Sequence, residues 1–150
     1  MIKHAWTVIC QKSIIDQETN NVSLDVLEQL NIKTPVVPPK AKGIFFPMQI
    51  EIVSLWYRGF EEKGIEGKGQ IRIETSNGNK IGSAGISINL TKSRRTRTRA
   101  RLDGLPVPRV GSDYFYFIVE VESNSKWIEV ARLPLEVNIN TATNKKTGNI

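Results

Sequence analysis

The sequence predicts an all-β chain folded as an antiparallel two-sheet β-sandwich, immunoglobulin-like or C2-like, with seven to eight strands. Three observations carry this. Apolar and polar residues alternate with a period of two through most segments, as they do along a strand with one buried face. Turn-forming residues recur at regular intervals, and no segment keeps a helical period for longer than two turns. A barrel is the alternative closure.

The elements follow in order. From Ala5 to Lys12, Trp6, Val8 and Cys10 alternate with Thr7, Ile9 and Gln11, the pattern of a half-buried strand. Asp16 to Asn21 is a polar turn. Val22 to Ile32 supports a strand through Val22, Leu24, Val26, Leu30 and Ile32, or a short helix behind Ser23 through Leu24, Leu27 and Leu30; the strand is preferred. In KTPVVPPKAKG, from Lys33 to Gly43, prolines remove amide donors and hold the chain extended. This connector is read as a crossing between layers of one domain.

The strongest strand signal comes next. Met48, Ile50, Ile52 and Trp56 alternate with Gln49, Glu51, Val53 and Leu55. After a glycine-rich loop, Ile71 and Ile73 lead into Asn77-Gly78, a dipeptide typical of two-residue hairpin turns because both positions take positive φ. Ala84, Ile86, Ile88 and Leu90 mark the returning strand. Lys92 to Leu102 reads KSRRTRTRARL, with Arg95, Arg97, Arg99 and Arg101 at every second position, so one strand face carries a row of guanidinium groups. A loop follows, LDGLPVPRVGSD. Phe115, Phe117, Val119 and Val121 then point inward, with Tyr114, Tyr116, Ile118, Glu120 and Glu122 outward. Ser123-Asn124-Ser125 is a turn, and Trp127 to Val137 is a last strand, bent or broken at Pro134. Residues 1–137 form one domain, and 138–150, rich in Asn, Thr and Lys, a flexible polar tail.

The segments HAWTVICQKSIIDQETNNVSLDVLEQL, LWYRG, SNGN and YFYFIVEVESNSKWIEVARLPLEV resemble a family of small prokaryotic β-sandwich proteins with no settled activity. That resemblance implies the sandwich and the strand over Val22 to Ile32. It carries no functional residue with it.

Composition narrows the chemistry. At 150 residues and 39% hydrophobic content the chain can bury a core without staples, and no apolar run is long enough to span a bilayer as a helix. The N-terminus lacks the form of a signal peptide and Cys10 is the single cysteine, so the expected compartment is the cytoplasm. One histidine, His4, lies about 20 Å along an extended strand from Cys10, which disfavours a nucleophile-base pair. A zinc site lacks its nitrogen and sulfur ligands. No cofactor, metal or catalytic residue is expected, although Asp103 and Asp113 share a connection and could approach each other. The glycines of GFEEKGIEGKGQ fail as a phosphate loop because Ile65 stands where lysine is needed. Trp6, Trp56 and Trp127 are expected in the core.

The charge is concentrated. Of 21 Lys and Arg against 15 Asp and Glu, six lie between Lys92 and Arg101, and the rest of the chain is neutral. The arginine strand is either an edge strand protected by charge, its arginines neutralised by Glu120 and Glu122, or a surface that meets anions. No aromatic residue interleaves with the arginines and no standard nucleic-acid signature appears, which argues against sequence-specific or single-strand recognition by that strand. The expected function is therefore a non-enzymatic binding or assembly module. It would contact a protein partner or another copy of itself through a sheet face containing Arg95, Arg97, Arg99, Arg101, Tyr114 and Tyr116. The alternative is nonspecific binding of nucleic acid, another anionic polymer or a membrane surface.

Overall fold

The computed structural model describes residues 1–34, 44–107 and 111–141, which contain nine strands and no helix. These are β1 (Lys3–Ile15), β2 (Val22–Val26), β3 (Gln29–Thr34), β4 (Ile44–Tyr57), β5 (Glu66–Thr75), β6 (Lys80–Asn89), β7 (Arg95–Val107), β8 (Gly111–Ser123) and β9 (Lys126–Thr141). A four-stranded sheet, β2-β1-β4-β7, packs on a five-stranded sheet, β3-β9-β8-β5-β6. The predicted sandwich is the observed architecture, with nine strands instead of seven to eight. One pairing departs from the antiparallel pattern, since β3 runs parallel to β9.

The core follows the period of two. Ile9, Ile50, Ile52, Trp56 and Ala100 from one sheet meet Ile71, Ile73, Phe115, Phe117, Val119, Leu135 and Val137 from the other. Trp56 is fully buried, and its indole N–H donates to Thr98 Oγ1 at 2.8 Å. Without that acceptor the buried donor would cost on the order of 1–3 kcal/mol. The threonines of the arginine strand are therefore inner-face residues with polar work, opposite Trp56 and Ser54. Of the three tryptophans only Trp56 belongs to the core. Trp6 lies half-buried opposite Leu55, and Trp127 is 45% exposed near the β8–β9 turn.

Several segments depart from the expected pattern. Val22 to Ile32 is two strands in two sheets, divided at Leu27 and Glu28. Leu27 N–H donates to Ile9 O in the four-stranded sheet (2.8 Å), while Glu28 O accepts from Glu136 N–H in the five-stranded sheet (3.3 Å). Pro134 does not break β9: β3 begins to pair only at Glu136, so the missing amide falls where β9 has one neighbour. Asn138 to Thr141, expected in the tail, continue β9 against Asn31 to Thr34, and Ile139 is buried. The positive-φ pair sits at Asn124 (50°) and Ser125 (62°), between the paired residues Ser123 and Lys126. At the β5–β6 turn only Gly78 is positive (83°), and Thr75 O accepts from Gly78 N–H at 2.9 Å. The proline-rich connector from 35 to 43 and the end of the chain from 142 to 150 lie outside the described residues.

Candidate functional site

The arginine row lies on an edge. Strand β7 is the outermost strand of the four-stranded sheet, and its register sets Arg95, Arg97, Arg99 and Arg101 opposite Tyr57, Leu55, Val53 and Glu51 of β4 on the face away from the core. Most of the row is occupied within the chain. Glu51, 4% exposed, holds Arg101 Nε at 3.2 Å and Arg99 Nε at 3.7 Å, and accepts a hydrogen bond from Ser13 Oγ at 2.6 Å. Burial pushes the Glu51 carboxyl up. The Ser13 hydrogen bond and the two guanidinium groups together outweigh it, and the carboxyl titrates below its ordinary range.

Arg97 has a different partner. A bulge between Cys10 and Lys12 lets the β1–β2 hairpin lean over this face until its tip reaches β7. There Arg97 donates to Asn20 twice, to Oδ1 at 3.0 Å and to the backbone carbonyl at 2.7 Å. Asn20 holds φ at 58°, a conformation asparagine tolerates better than most residues. The turn before it is built by Asp16, whose carboxylate accepts from the amides of Glu18 and Thr19 at 2.8 and 3.2 Å. Cys10, Glu51 and Val53 are buried on this face despite pointing away from the core.

Tyr114 and Tyr116 lie elsewhere. They belong to β8, on the outer face of the five-stranded sheet, so the structure does not bring them together with the arginines. Nor does Glu120 neutralise the row. It is buried against Arg72 Nη2 at 3.0 Å and Gln70, while Arg72 also pairs with Glu74, and Arg132 spans Glu74 and Glu129. That face compensates its own charge.

What sequence reasoning missed is a cleft at the start of β7, of about 670 Å³. It is lined by Asn20, Tyr57, Arg58, Phe60, Lys92, Ser93, Arg94 and Arg95. Four of these are cations and none is a carboxylate. Its floor is fixed by Arg58, which donates from Nε to Leu90 O at 2.8 Å and from Nη1 to Glu62 O. Gly64 is required behind it, because a Cβ there would stand 2.6 Å from the Thr91 carbonyl oxygen. Phe60 is 81% exposed, with the Arg94 guanidinium 4.3 Å from its ring centre. Lys92, Arg94 and Arg95 have no ion-pair partner among the described residues. A second groove of about 470 Å³ adjoins it beyond Asn20 and Arg95, lined also by Leu55, Thr96 and Arg97. The cation run from Lys92 was legible in sequence; the aromatics were not, because they come from β4 and the loop after it.

Other candidate chemistry is dispersed. Cys10 faces Glu51 across the sheet, whereas a bulge after His4 turns the histidine towards Trp56, ring centres 5.2 Å apart. His4 Nε2, Thr7 Oγ1 and Ser54 Oγ form a hydrogen-bonded chain, each link 2.7 Å. Burial lowers the His4 pKa against a smaller raising effect of its backbone bond with Trp6. Burial, then the Glu51 charge, raises that of Cys10. Asp103 sits opposite Gln49 in one sheet, and Asp113 accepts from Ser76 Oγ at 2.9 Å in the other. Among the described residues no group of three His, Cys, Asp or Glu side chains could hold a metal, and no helix is long and apolar enough to cross a membrane.

No family model and no curated protein matches the chain. Among solved structures it is similar to a glycosyl hydrolase family 2 member from Bacteroides cellulosilyticus DSM 14838, at 13% identity and a TM-score of 0.48, over 67% of this chain and 14% of that one. It is also similar to the C-terminal domain of wzt, at 12% identity and 0.48, over 93% of this chain and 73% of that one. At such identities the likeness concerns the fold alone.

Proposed function

We propose that this chain is a non-enzymatic binding module that takes an anionic polymer at the cleft beside the start of β7. The single observation that carries this is the cleft lining: four cations, no carboxylate, and two polar side chains, Asn20 and Ser93. Guanidinium groups offer planar forks to phosphate, sulfate or carboxylate oxygens. The broad face expected to serve a protein partner is less available, since Glu51 and Asn20 already engage Arg99, Arg101 and Arg97.

Titration with a polyphosphate at two salt concentrations tests it. Saturable binding is expected at low salt, weakening steeply as counterions compete. Replacing Lys92, Arg94 and Arg95 together by alanine weakens it more than tenfold, while Arg101→Ala, on the far side of Glu51, leaves it nearly unchanged. No saturable binding at low salt defeats the proposal.

A further inference from the structure

The cleft combines its charges with two aromatic rings in a way that narrows the ligand. Tyr57 is the cross-strand neighbour of Arg95, and Phe60 follows three residues later in the loop beyond β4. The strand of arginines has no aromatic of its own; the fold supplies them from the side. Phe60 offers one ring face to the Arg94 guanidinium and, at 81% exposure, leaves the rest of its ring in solvent. Tyr57 is 37% exposed, with Lys3 Nζ 5.9 Å from its ring centre. A flat π-face thus adjoins unpaired cations in a groove that continues past Asn20 towards Arg97.

We infer that the polymer is a single-stranded nucleic acid, with one base stacked on Phe60 and the adjoining phosphates held by Lys92, Arg94 and Arg95. This rests on the anionic reading above and adds base recognition to it. A ligand with one charge and one π-face per unit matches cations set directly beside rings, as Arg94 is beside Phe60 and Arg95 beside Tyr57, and stacking of this kind tolerates any base. A duplex hides its base faces and so matches less well. An acidic polysaccharide would use the cations, but its units carry no π-face for Phe60.

The test is a titration of four labelled probes: oligothymidylate, an abasic strand of equal length, a duplex of equal length, and heparin. Oligothymidylate is expected to bind more tightly than the abasic strand and the duplex, with a log-log salt slope of about −2 to −3 for three or four phosphates. Phe60→Ala should weaken oligothymidylate roughly 5- to 150-fold without changing that slope. Arg95→Ala should reduce the slope by about 0.7. Because Phe60 is exposed, its replacement leaves the melting temperature unchanged, which confirms that the variant is folded. Equal affinity for the abasic strand overturns the inference while leaving anion binding in place. The same follows from indifference to Phe60→Ala, or from tighter binding of heparin with the same dependence on Phe60. Failure of all four probes to bind overturns both.

Discussion

Glu51 shows how one residue turns a feature of the sequence into a different feature of the structure. Four arginines at alternate positions read either as a charged edge strand or as a surface for anions, and a single buried carboxylate, directly opposite Arg101 in the neighbouring strand, takes up two of them. Glu51→Gln is expected to destabilise the fold by about 1–3 kcal/mol at neutral pH, measured by urea denaturation. The sign of the pH dependence follows from its lowered pKa. The ionised form is favoured in the native state, so the stabilisation is complete above the ordinary glutamate range near about 4.3 and is lost as pH falls through the lower native value. His4 acts in a separate window. Its native pKa is lowered, so the unfolded chain takes up the proton first, and stability is expected to decline as pH falls below about 6.5. Since His4 is the one histidine, denaturation midpoints at pH 7 and 5.5 should differ in the natural chain and differ less in His4→Asn.

Among the elements, the hairpin turns record where local sequence decides geometry and where it does not. Asn77-Gly78 has the composition of a two-residue turn, but Asn77 keeps negative φ and only Gly78 crosses over. The pair that does cross is Asn124-Ser125, in which serine holds φ at 62°. Ser125→Gly removes a side chain from that region and is expected to stabilise the chain by about 1 kcal/mol, read as a raised melting temperature. The last strand carries a second expectation. Asn138 to Thr141 have a composition that suggests a mobile end, and the alternation that would mark them as strand is reduced to Ile139. Asn138 and Ile139 pair with both β8 and β3, and Asn140 and Thr141 with β3 alone, a contact more than a hundred residues distant that no local pattern announces. A chain stopped after Val137 should lose stability measurably, because Ile139 would be removed from the core and Ile32 would lose the strand it pairs with.

For the molecule as a whole, the fold class was legible because burial of one strand face imposes a period of two on almost every segment. The sheet assignments were not. Strands β2 and β3 read as one element, and the division at Leu27 and Glu28 is set by what each half pairs with. The candidate cleft was half legible for the same reason: Lys92, Arg94 and Arg95 stand together in sequence, while Tyr57, Phe60 and Asn20 arrive through β4 register and the lean of the β1–β2 hairpin. Long-range pairings of this kind slow folding, and refolding on a millisecond-to-second scale is expected in stopped-flow tryptophan fluorescence.

The crossing at Leu27 and Glu28 also has a mechanical consequence. Adjacent residues are bonded to opposite sheets at one margin, and five residues, Leu90 to Arg94, join β6 to β7 at the other. A slip of one sheet over the other by a single strand step, about 3.4 Å, would be opposed at Leu27 and Glu28, where no residue separates the two bonded positions. Pulled along its strands, the sandwich should therefore resist shear as a laced seam does and yield in one abrupt event.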